Sequence, residues 1–273
     1  MSERWIIGTD GSDESLAARR WAVSQSAGRP VRVESVHVLP RRFGRHLLAE
    51  VGKRLRGRAD QAGESTPDDD VDIRVVHGHA GRALVDAASG ASLLVVGRHG
   101  AGGGWRNALG SVSRYCVTHS TAPTAVVPVG APDHPVGRIV VGFDGSANGS
   151  AALRWALDFA GEDSDVDVRA LIAIEVAPWL QEDLVQVRLG GELDAERERL
   201  LGLLAAADPS GRARADVAVR GAKPALAHAA DSADLVVVGA RGTGPMVGLG
   251  SVSTWMLDAS PCPVVVVPDP GDR

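Results

Sequence analysis

Short apolar runs rich in β-branched residues alternate with amphipathic stretches along the chain, and this alternation predicts strands that are connected by helices. In the first half, the apolar runs predict strands over residues 4–8, 31–39, 71–77, 92–96 and 124–129. Helical patterns lie between them, over residues 14–27, 46–61, 82–88 and 112–120. Strands that alternate with helices favour an α/β fold with a parallel sheet covered on both faces.

The second half of the chain repeats the first. Asp10-Gly11-Ser12 returns as Asp144-Gly145-Ser146 at an offset of 134, and Val96-Gly97-x-x-Gly100 returns as Val238-Gly239-x-x-Gly242 at an offset of 142. The order of matching segments is kept, which is typical of a duplicated domain with insertions and deletions in its loops. The sequence therefore predicts tandem domains over residues 1–131 and 136–270, each a doubly wound five-stranded parallel sheet with strand order 3-2-1-4-5.

Composition and net charge indicate a globular protein and exclude several kinds of partner. The chain has 273 residues, of which 44% are hydrophobic and 23% charged, as in ordinary globular proteins. A net charge of −5 gives no overall attraction to nucleic acid or to an anionic membrane, so neither partner is predicted. Two distant cysteines and an N-terminus without a signal-peptide pattern favour a cytoplasmic location.

A ligand site is predicted where the winding of each sheet reverses, at the carboxyl ends of its first and fourth strands. Asp10 follows the first strand, and a glycine-rich loop from Gly97 to Gly110 follows the fourth. Glycines allow close backbone approach, and the helix after this loop presents free amides to an anion such as a phosphate chain. The residues alone leave two interpretations open, because Asp10 and Ser111 could also be ordinary helix-capping residues.

Several other kinds of site are not supported. The chain contains no Gly-x4-Gly-Lys-[Ser/Thr] and no Gly-x-Gly-x-x-Gly, so neither a P-loop nor a Rossmann dinucleotide site is predicted. His77 and His79 are too few ligands for a tetrahedral metal site, and no nucleophile and base occur in a supporting arrangement. We therefore predict no structural or catalytic metal site and no catalytic residues.

The pattern Gly97-x2-Gly100-x9-Gly110-Ser111, together with Asp-Gly-Ser after the first strand, resembles the ATP-binding motif of the universal stress protein family. The resemblance covers nearly the whole chain as two tandem domains. It implies an adenine nucleotide alpha hydrolase-like fold and an ATP-binding regulatory protein of stress or dormancy physiology, with little or no ATPase activity. ATP would be the ligand, and Mg²⁺ is compatible with it as a counter-ion.

The resemblance also implies which residues hold the nucleotide. Asp10 would face the ribose, the backbone of Val38 would meet adenine, and the glycine loop would hold ribose and phosphates. The implied residues of the first copy are Gly8, Asp10, Val38, Gly97, Arg98, His99, Gly100, Gly102, Gly103, Gly110, Ser111, Val112 and Ser113. Those of the second copy are Gly142, Asp144, Ile174, Gly239, Arg241, Gly242, Gly244, Gly250, Ser251, Val252 and Ser253.

The second copy departs from the motif. Seven residues rather than nine separate Gly242 from Gly250, and Pro245 stiffens this loop, so the first site is predicted to be the more secure of the two. Apolar fifth strands at the sheet edges predict pairing of the two domains, and the resemblance implies a homodimer. Two alternative functions remain: a scaffold or dimerisation module without nucleotide, and a weak ATPase with Asp10 or His99 as general base.

Overall fold

The computed structural model describes residues 3–40, 71–100, 108–162, 165–175, 182–242, 248–269 and 271, and in residues 182–190 only the backbone. The chain divides into two compact units, Met1–Pro135 and Val136–Arg273. The tandem arrangement predicted from the repeat is therefore confirmed, while the bounds 1–131 and 136–270 stay a prediction.

The first unit alternates strands and helices as the sequence predicts. Its strands are β1 (Glu3–Thr9), β2 (Val31–Leu39), β3 (Val71–His77), β4 (Leu93–Gly97) and β5 (Thr124–Val127). Its described helices are α1 (Asp13–Ser26), α2 (Ala80–Ala87) and α3 (Ser111–His119). The predicted strand bounds agree to within two residues, whereas α2 begins two residues earlier than expected. The helix predicted over residues 46–61 lies outside the described residues.

The second unit repeats the described elements of the first in the same order and has a further helix between its second and third strands. Its strands are β6 (Arg138–Gly142), β7 (Asp167–Ala173), β8 (Arg214–Ala218), β9 (Leu235–Gly239) and β10 (Val264–Val267). Its helices are α4 (Ala147–Ala160), α5 (Glu182–Ala207), α6 (Ala222–Ala230) and α7 (Ser251–Ala259). None of the helices in the described part of the chain is long and apolar enough to cross a membrane.

Both units contain a parallel five-stranded sheet with the predicted order. The first sheet runs β3-β2-β1-β4-β5, and the second runs β8-β7-β6-β9-β10 in the corresponding order. Within each unit the strand pairs are parallel, with Gly8 opposite Val36 in the first and Gly142 opposite Leu171 in the second. The expected fold class is confirmed.

The central strands form the core because helices cover both faces of each sheet. Every residue of β4 and of β9 is buried, as expected for strands whose two faces are both covered. Trp21 on α1 is 1% exposed and packs into the core of the first unit. This packing fixes the carboxyl ends of β1 and β4 side by side, and equally those of β6 and β9.

Candidate functional site

The first unit has a cavity of about 570 Å³ at the carboxyl ends of β1 and β4. This volume is within the range of small-molecule sites, about 300–1,000 Å³. Ten of the residues implied by the sequence line it: Gly8, Asp10, Val38, Gly97, His99, Gly100, Gly110, Ser111, Val112 and Ser113. The structure therefore brings together residues that are far apart in sequence.

The second unit has the corresponding cavity, of about 360 Å³, at the ends of β6 and β9. Nine of its implied residues line it: Gly142, Asp144, Gly239, Arg241, Gly242, Gly250, Ser251, Val252 and Ser253. The two cavities thus lie at equivalent positions in the two copies and use equivalent backbone.

Five implied residues are not found in the cavity walls. Gly102, Gly103 and Gly244 lie outside the described residues. Arg98 is not a wall residue, and its backbone instead closes the loop, since the amide of Gly110 donates to the Arg98 carbonyl at 2.9 Å. Ile174 is not a wall residue either.

The position of Ile174 follows from strand alternation. Side chains along a strand point alternately to opposite faces, and here Leu171, Ala173 and Glu175 line the cavity. Ile174 lies one position out of phase and is 6% exposed. Since Gly8 pairs with Val36 and the equivalent Gly142 pairs with Leu171, Ala173 rather than Ile174 corresponds to Val38, and the predicted match was wrong by one residue.

Sequence reasoning missed the apolar residues in the wall of each cavity. Leu84 from α2 and Leu226 from α6 line the two cavities, together with Val36 on β2 and Leu171 on β7. The alternation of side chains along these strands could have predicted them, because a strand buried on both faces directs every second side chain toward the helices on one face. These residues add apolar side chains to the wall of each cavity.

Asp10 forms a turn that begins α1. Its carboxylate accepts a hydrogen bond from the backbone amide of Ser12 at 3.0 Å, and Ser12 is the N-cap residue of the helix. In the second unit the amide of Ser146 donates to Asp144 at the same distance. The helix-capping role thus belongs to Ser12 and Ser146, while the two aspartates remain wall residues of the cavities.

The second carboxylate oxygen of this aspartate contacts the glycine loop closely. A Cβ atom added to Gly100 would lie 2.8 Å from Oδ2 of Asp10, and one added to Gly242 would lie 2.7 Å from Oδ2 of Asp144. Both distances are shorter than a carbon–oxygen contact allows, so any side chain here would push the carboxylate away. This close approach explains why the position is glycine in both copies.

The helix after each loop begins without a side-chain cap. Gly110 is the N-cap residue of α3 and Gly250 that of α7, and neither position provides a capping side chain. Because the first amides of a helix have no partner within the helix, they remain donors for an anion, which the helix dipole also favours. Ser111 and Ser251 are exposed first-turn residues beside these amides.

The third residue of each helix has a structural role. The hydroxyl group of Ser113 is buried and donates to the carbonyl oxygen of Gly97, and that of Ser253 donates to Gly239. The proton of this hydroxyl is therefore engaged by the strand end. Of the two serines in each motif, the first is the exposed one.

His99 is held by Glu14 in the first site. Nδ1 of its ring lies 3.1 Å from Oε1 of Glu14, and its backbone amide donates to Oε2 at 3.4 Å. Glu14 reaches this position because Gly97 packs directly on the backbone of α1 at that residue, where an added Cβ would be 2.8 Å from the Glu14 carbonyl carbon. The other ring nitrogen, Nε2, is buried and has no hydrogen-bond partner.

The second site uses a different set of side chains at the same positions. Gly239 packs on Asn148 as Gly97 packs on Glu14, and Arg241 corresponds to His99. The guanidinium of Arg241 lies 3.2 Å from Oδ2 of Asp269, which follows β10. The corresponding residue after β5 is Val129, which is 58% exposed. The two copies therefore fix the start of the loop through different pairs of side chains.

Two titratable groups near the sites have shifted pKa values. Burial lowers the pKa of His37, and a hydrogen bond to the Thr9 backbone and the charge of Asp10 oppose this only in part. The pKa of Asp269 is lowered, chiefly by the hydrogen bond from the Gly271 amide, with further contributions from Asn148 and Arg241. His37 is thus neutral and Asp269 ionised at neutral pH.

Metal ligation finds no support in the described ranges, which contain no group of three or more His, Cys, Asp or Glu residues suited to a metal ion. The groups described above that could bind an anion are the backbone amides, the hydroxyl groups and the basic side chains at the two sites.

Comparison with known proteins gives consistent matches along the chain. The family model described as "Universal stress protein family" matches residues 1–128 and 135–268. The protein named "Universal stress protein Rv2005c" of Mycobacterium tuberculosis is 30% identical over 283 residues, which cover 96% of this chain and 95% of that protein. "Universal stress protein Rv2623" of the same organism is 30% identical over 288 residues, with the same coverage.

The fold is also similar to solved structures. The crystal structure of a universal stress protein from Archaeoglobus fulgidus superposes with a TM-score of 0.65 at 18% identity, and covers 98% of this chain and 99% of that chain. The similarity in fold therefore extends over both units.

Proposed function

Because the chain belongs to the universal stress protein family, we propose that it binds an adenine nucleotide, ATP in the first instance, in the cavity of each unit. In this proposal the protein acts as a regulatory nucleotide-binding protein in stress or dormancy physiology. The nucleotide stabilises one conformation or one state of association, and is not turned over.

One observation supports this proposal above the others. In each cavity an aspartate after the first strand, closely packed glycines at the two described ends of the loop and an uncapped helix N-terminus lie around one space. A carboxylate accepts hydrogen bonds from ribose hydroxyls, and a helix N-terminus favours phosphate. The apolar wall of Leu84 or Leu226 offers a surface for a planar base. The three parts of a nucleotide therefore each have a suitable neighbour.

The proposed roles follow this division. Asp10 and Asp144 would accept from ribose hydroxyls, and the amides at Ser111–Ser113 and Ser251–Ser253 would donate to phosphates. Val38 and Ala173 would border the base. Mg²⁺ could accompany the phosphates as a counter-ion without direct carboxylate ligands. The first site is proposed to be the tighter, because its cavity is larger and its loop has the full spacing of the motif.

The test is to denature the protein as purified from cells, identify what it releases, and then titrate the emptied protein with ATP, AMP and cyclic AMP by calorimetry. Release of adenine nucleotide and saturable binding of ATP are expected. A chain that releases none and shows no heat with any of the three would support the scaffold alternative. Steady ATP turnover that disappears on substitution of Asp10 or His99 would support the ATPase alternative.

Association stays a prediction. A homodimer is expected, and light scattering of the full chain with and without ATP measures it. Pairing of the two domains within one chain is likewise a prediction, which cross-linking within the chain would test.

A further inference from the structure

We infer that Glu175 makes the second site select the amino group of adenine, and that the first site has no side chain in this role. The inference rests on the proposed function, since it needs a nucleotide in the second cavity. It names a specificity-determining residue outside the glycine motif, because Glu175 follows β7 and is not part of the loop.

Glu175 lies in the wall of the second cavity, two positions beyond Ala173 on the same side of the chain. It is an exposed residue, so a ligand would meet it at the open edge of the cavity. Its carboxylate lies beside the start of α6, where a Cβ atom added to the N-cap residue Gly221 would be 3.7 Å from Oε1. The partial positive charge of a helix N-terminus favours a carboxylate at this place.

The two sides of this cavity carry opposite charges. Arg241 and the uncapped start of α7 lie on the β9 side, and Glu175 lies on the β7 side. Because β6 lies between these strands, the ends of β9 and β7 are about 10 Å apart. A nucleotide whose phosphates lie at Arg241 therefore brings its base toward Glu175. The reverse orientation would place phosphates beside a carboxylate, where like charges repel.

The chemistry of a carboxylate decides which base is favoured. A carboxylate has only hydrogen-bond acceptors, whereas the exocyclic amino group of adenine is a donor. Hydrogen bonds to a charged acceptor are stronger than those between neutral groups. Glu175 therefore favours a purine with this amino group over the same purine without it.

The first cavity has no carboxylate at this place. The strand pairing makes Val36 equivalent to Leu171. Four residues further along, Glu175 therefore corresponds to Pro40, which is not a wall residue and has no polar atom in its side chain. Backbone groups at the strand ends can contact the base in both sites, so the contribution of Glu175 is the part that its removal abolishes.

Single-site proteins isolate this contribution. Gly100→Val closes the first site and Gly242→Val the second, because each side chain would collide with the neighbouring aspartate carboxylate. The protein with both changes reports any binding outside the cavities. Each protein is titrated by calorimetry with ATP and with purine riboside 5′-triphosphate, which has hydrogen in place of the amino group. The ratio of the two affinities is compared with and without Glu175→Ala, which isolates the coupling between residue and amino group.

In the Gly100→Val protein, the preference for ATP should be about tenfold larger with Glu175 than with alanine. Glu175→Gln should retain part of this preference, because the amide oxygen still accepts. Glu198→Gln is the matched control, since Glu198 is an exposed carboxylate on α5 that does not line the cavity, and it should leave the ratio unchanged. Glu175→Ala in the Gly242→Val protein should also leave the ratio unchanged.

The possible failures are distinguishable. If the second site shows the same ratio before and after Glu175→Ala, or if ATP binds only the first site, this inference is overturned while nucleotide binding by the chain stands. If the full chain and both single-site proteins bind no nucleotide while circular dichroism shows them folded, the proposed function fails and the inference falls with it. Should a valine variant not fold, the same comparison in the full chain, fitted to two sites, measures the ratio.

Discussion

The hydroxyl group of Ser113 donates to the backbone carbonyl of Gly97 at 2.6 Å, and Ser253 donates to Gly239 at the same distance. Each bond ties the first turn of a helix to the last residue of the strand before it. The two ends of the loop are therefore held at a fixed separation in both copies, although the loops differ in length. Substitution of these buried serines should therefore lower stability, whereas substitution of the exposed serines at the helix starts should weaken ATP binding.

The two serines of the first motif should respond differently to alanine substitution. Ser113→Ala removes a buried hydrogen bond and leaves the Gly97 carbonyl without its donor, so it should lower the free energy of unfolding by about 1–3 kcal/mol. Ser111→Ala, on the exposed first turn, should weaken ATP binding and leave stability within about 0.5 kcal/mol. Urea unfolding and calorimetry measure both quantities. Equal stability losses in the two variants would contradict this division, and Ser253→Ala should repeat the Ser113→Ala loss.

The glycines that contact the aspartates should be essential for binding. Gly100→Ala places a methyl group within 2.8 Å of the Asp10 carboxylate, so the carboxylate or the loop must shift and ATP affinity at the first site should fall at least tenfold. Gly242→Ala should do the same at the second site. Gly202→Ala is the matched control, because an added Cβ there meets nothing and the residue lies on the exposed face of α5. It should raise stability by about 0.5–1 kcal/mol and leave binding unchanged. Undiminished affinity in Gly100→Ala would show that the ligand does not depend on this approach.

The proposed contact of Asp10 with ribose can be tested separately from its structural role in the turn before α1. If Asp10 accepts from ribose hydroxyls, a nucleotide without the 2′ and 3′ hydroxyls should bind the wild-type site about tenfold more weakly than ATP, by about 1.4 kcal/mol. The same pair of ligands should bind almost equally to Asp10→Ala, which has lost the acceptor. Calorimetry of the four combinations gives the coupling between residue and hydroxyl groups. A purely structural aspartate would weaken both ligands alike.

A pH-dependent contribution to stability is expected from Asp208, which is 5% exposed at the end of α5. Burial alone would raise its pKa, but hydrogen bonds from the Ala213 amide, the Ser210 hydroxyl and the amides of Arg212 and Gly211 outweigh it and lower the pKa. A lowered native pKa means that the stabilisation is present above the unfolded value of about 3.9 and is lost as the pH falls through the native value.

Asp208→Asn should therefore be less stable at neutral pH, by about 1–3 kcal/mol. The difference from wild type should shrink in acid, as urea unfolding at several pH values would measure, and a constant difference would exclude this cause.

The alternation of strands and helices was predictable because each element carries its own pattern and because that pattern occurs twice, and the strand order 3-2-1-4-5 was the one expected of a doubly wound sheet. The same logic explains why the described aspartates, glycines and helix starts of the motif line one cavity in each unit, since the carboxyl ends of neighbouring parallel strands must meet. Ile174 was misplaced because all residues at the end of this strand are apolar or small, so the sequence does not show which of them faces the cavity. A one-residue slip therefore moves a side chain to the other face.

Other features depend on contacts that no local pattern reports. Glu14 is an acidic residue in a first helical turn, where such residues are common for their effect on the helix dipole alone. Its contact with His99 arises from the packing of Gly97 on α1, a relationship between residues 83 positions apart. The pair of Arg241 and Asp269 likewise joins a loop to the end of another strand.

The duplication places both cavities on one polypeptide, and this has a consequence for regulation. Two separately encoded proteins can be synthesised in any ratio, whereas these sites are always made one to one. A cell cannot raise the supply of one site without the other, so any difference in their response must come from the side chains themselves. The exchange of Glu14 and His99 in the first site for Asn148 and Arg241 in the second is one such difference.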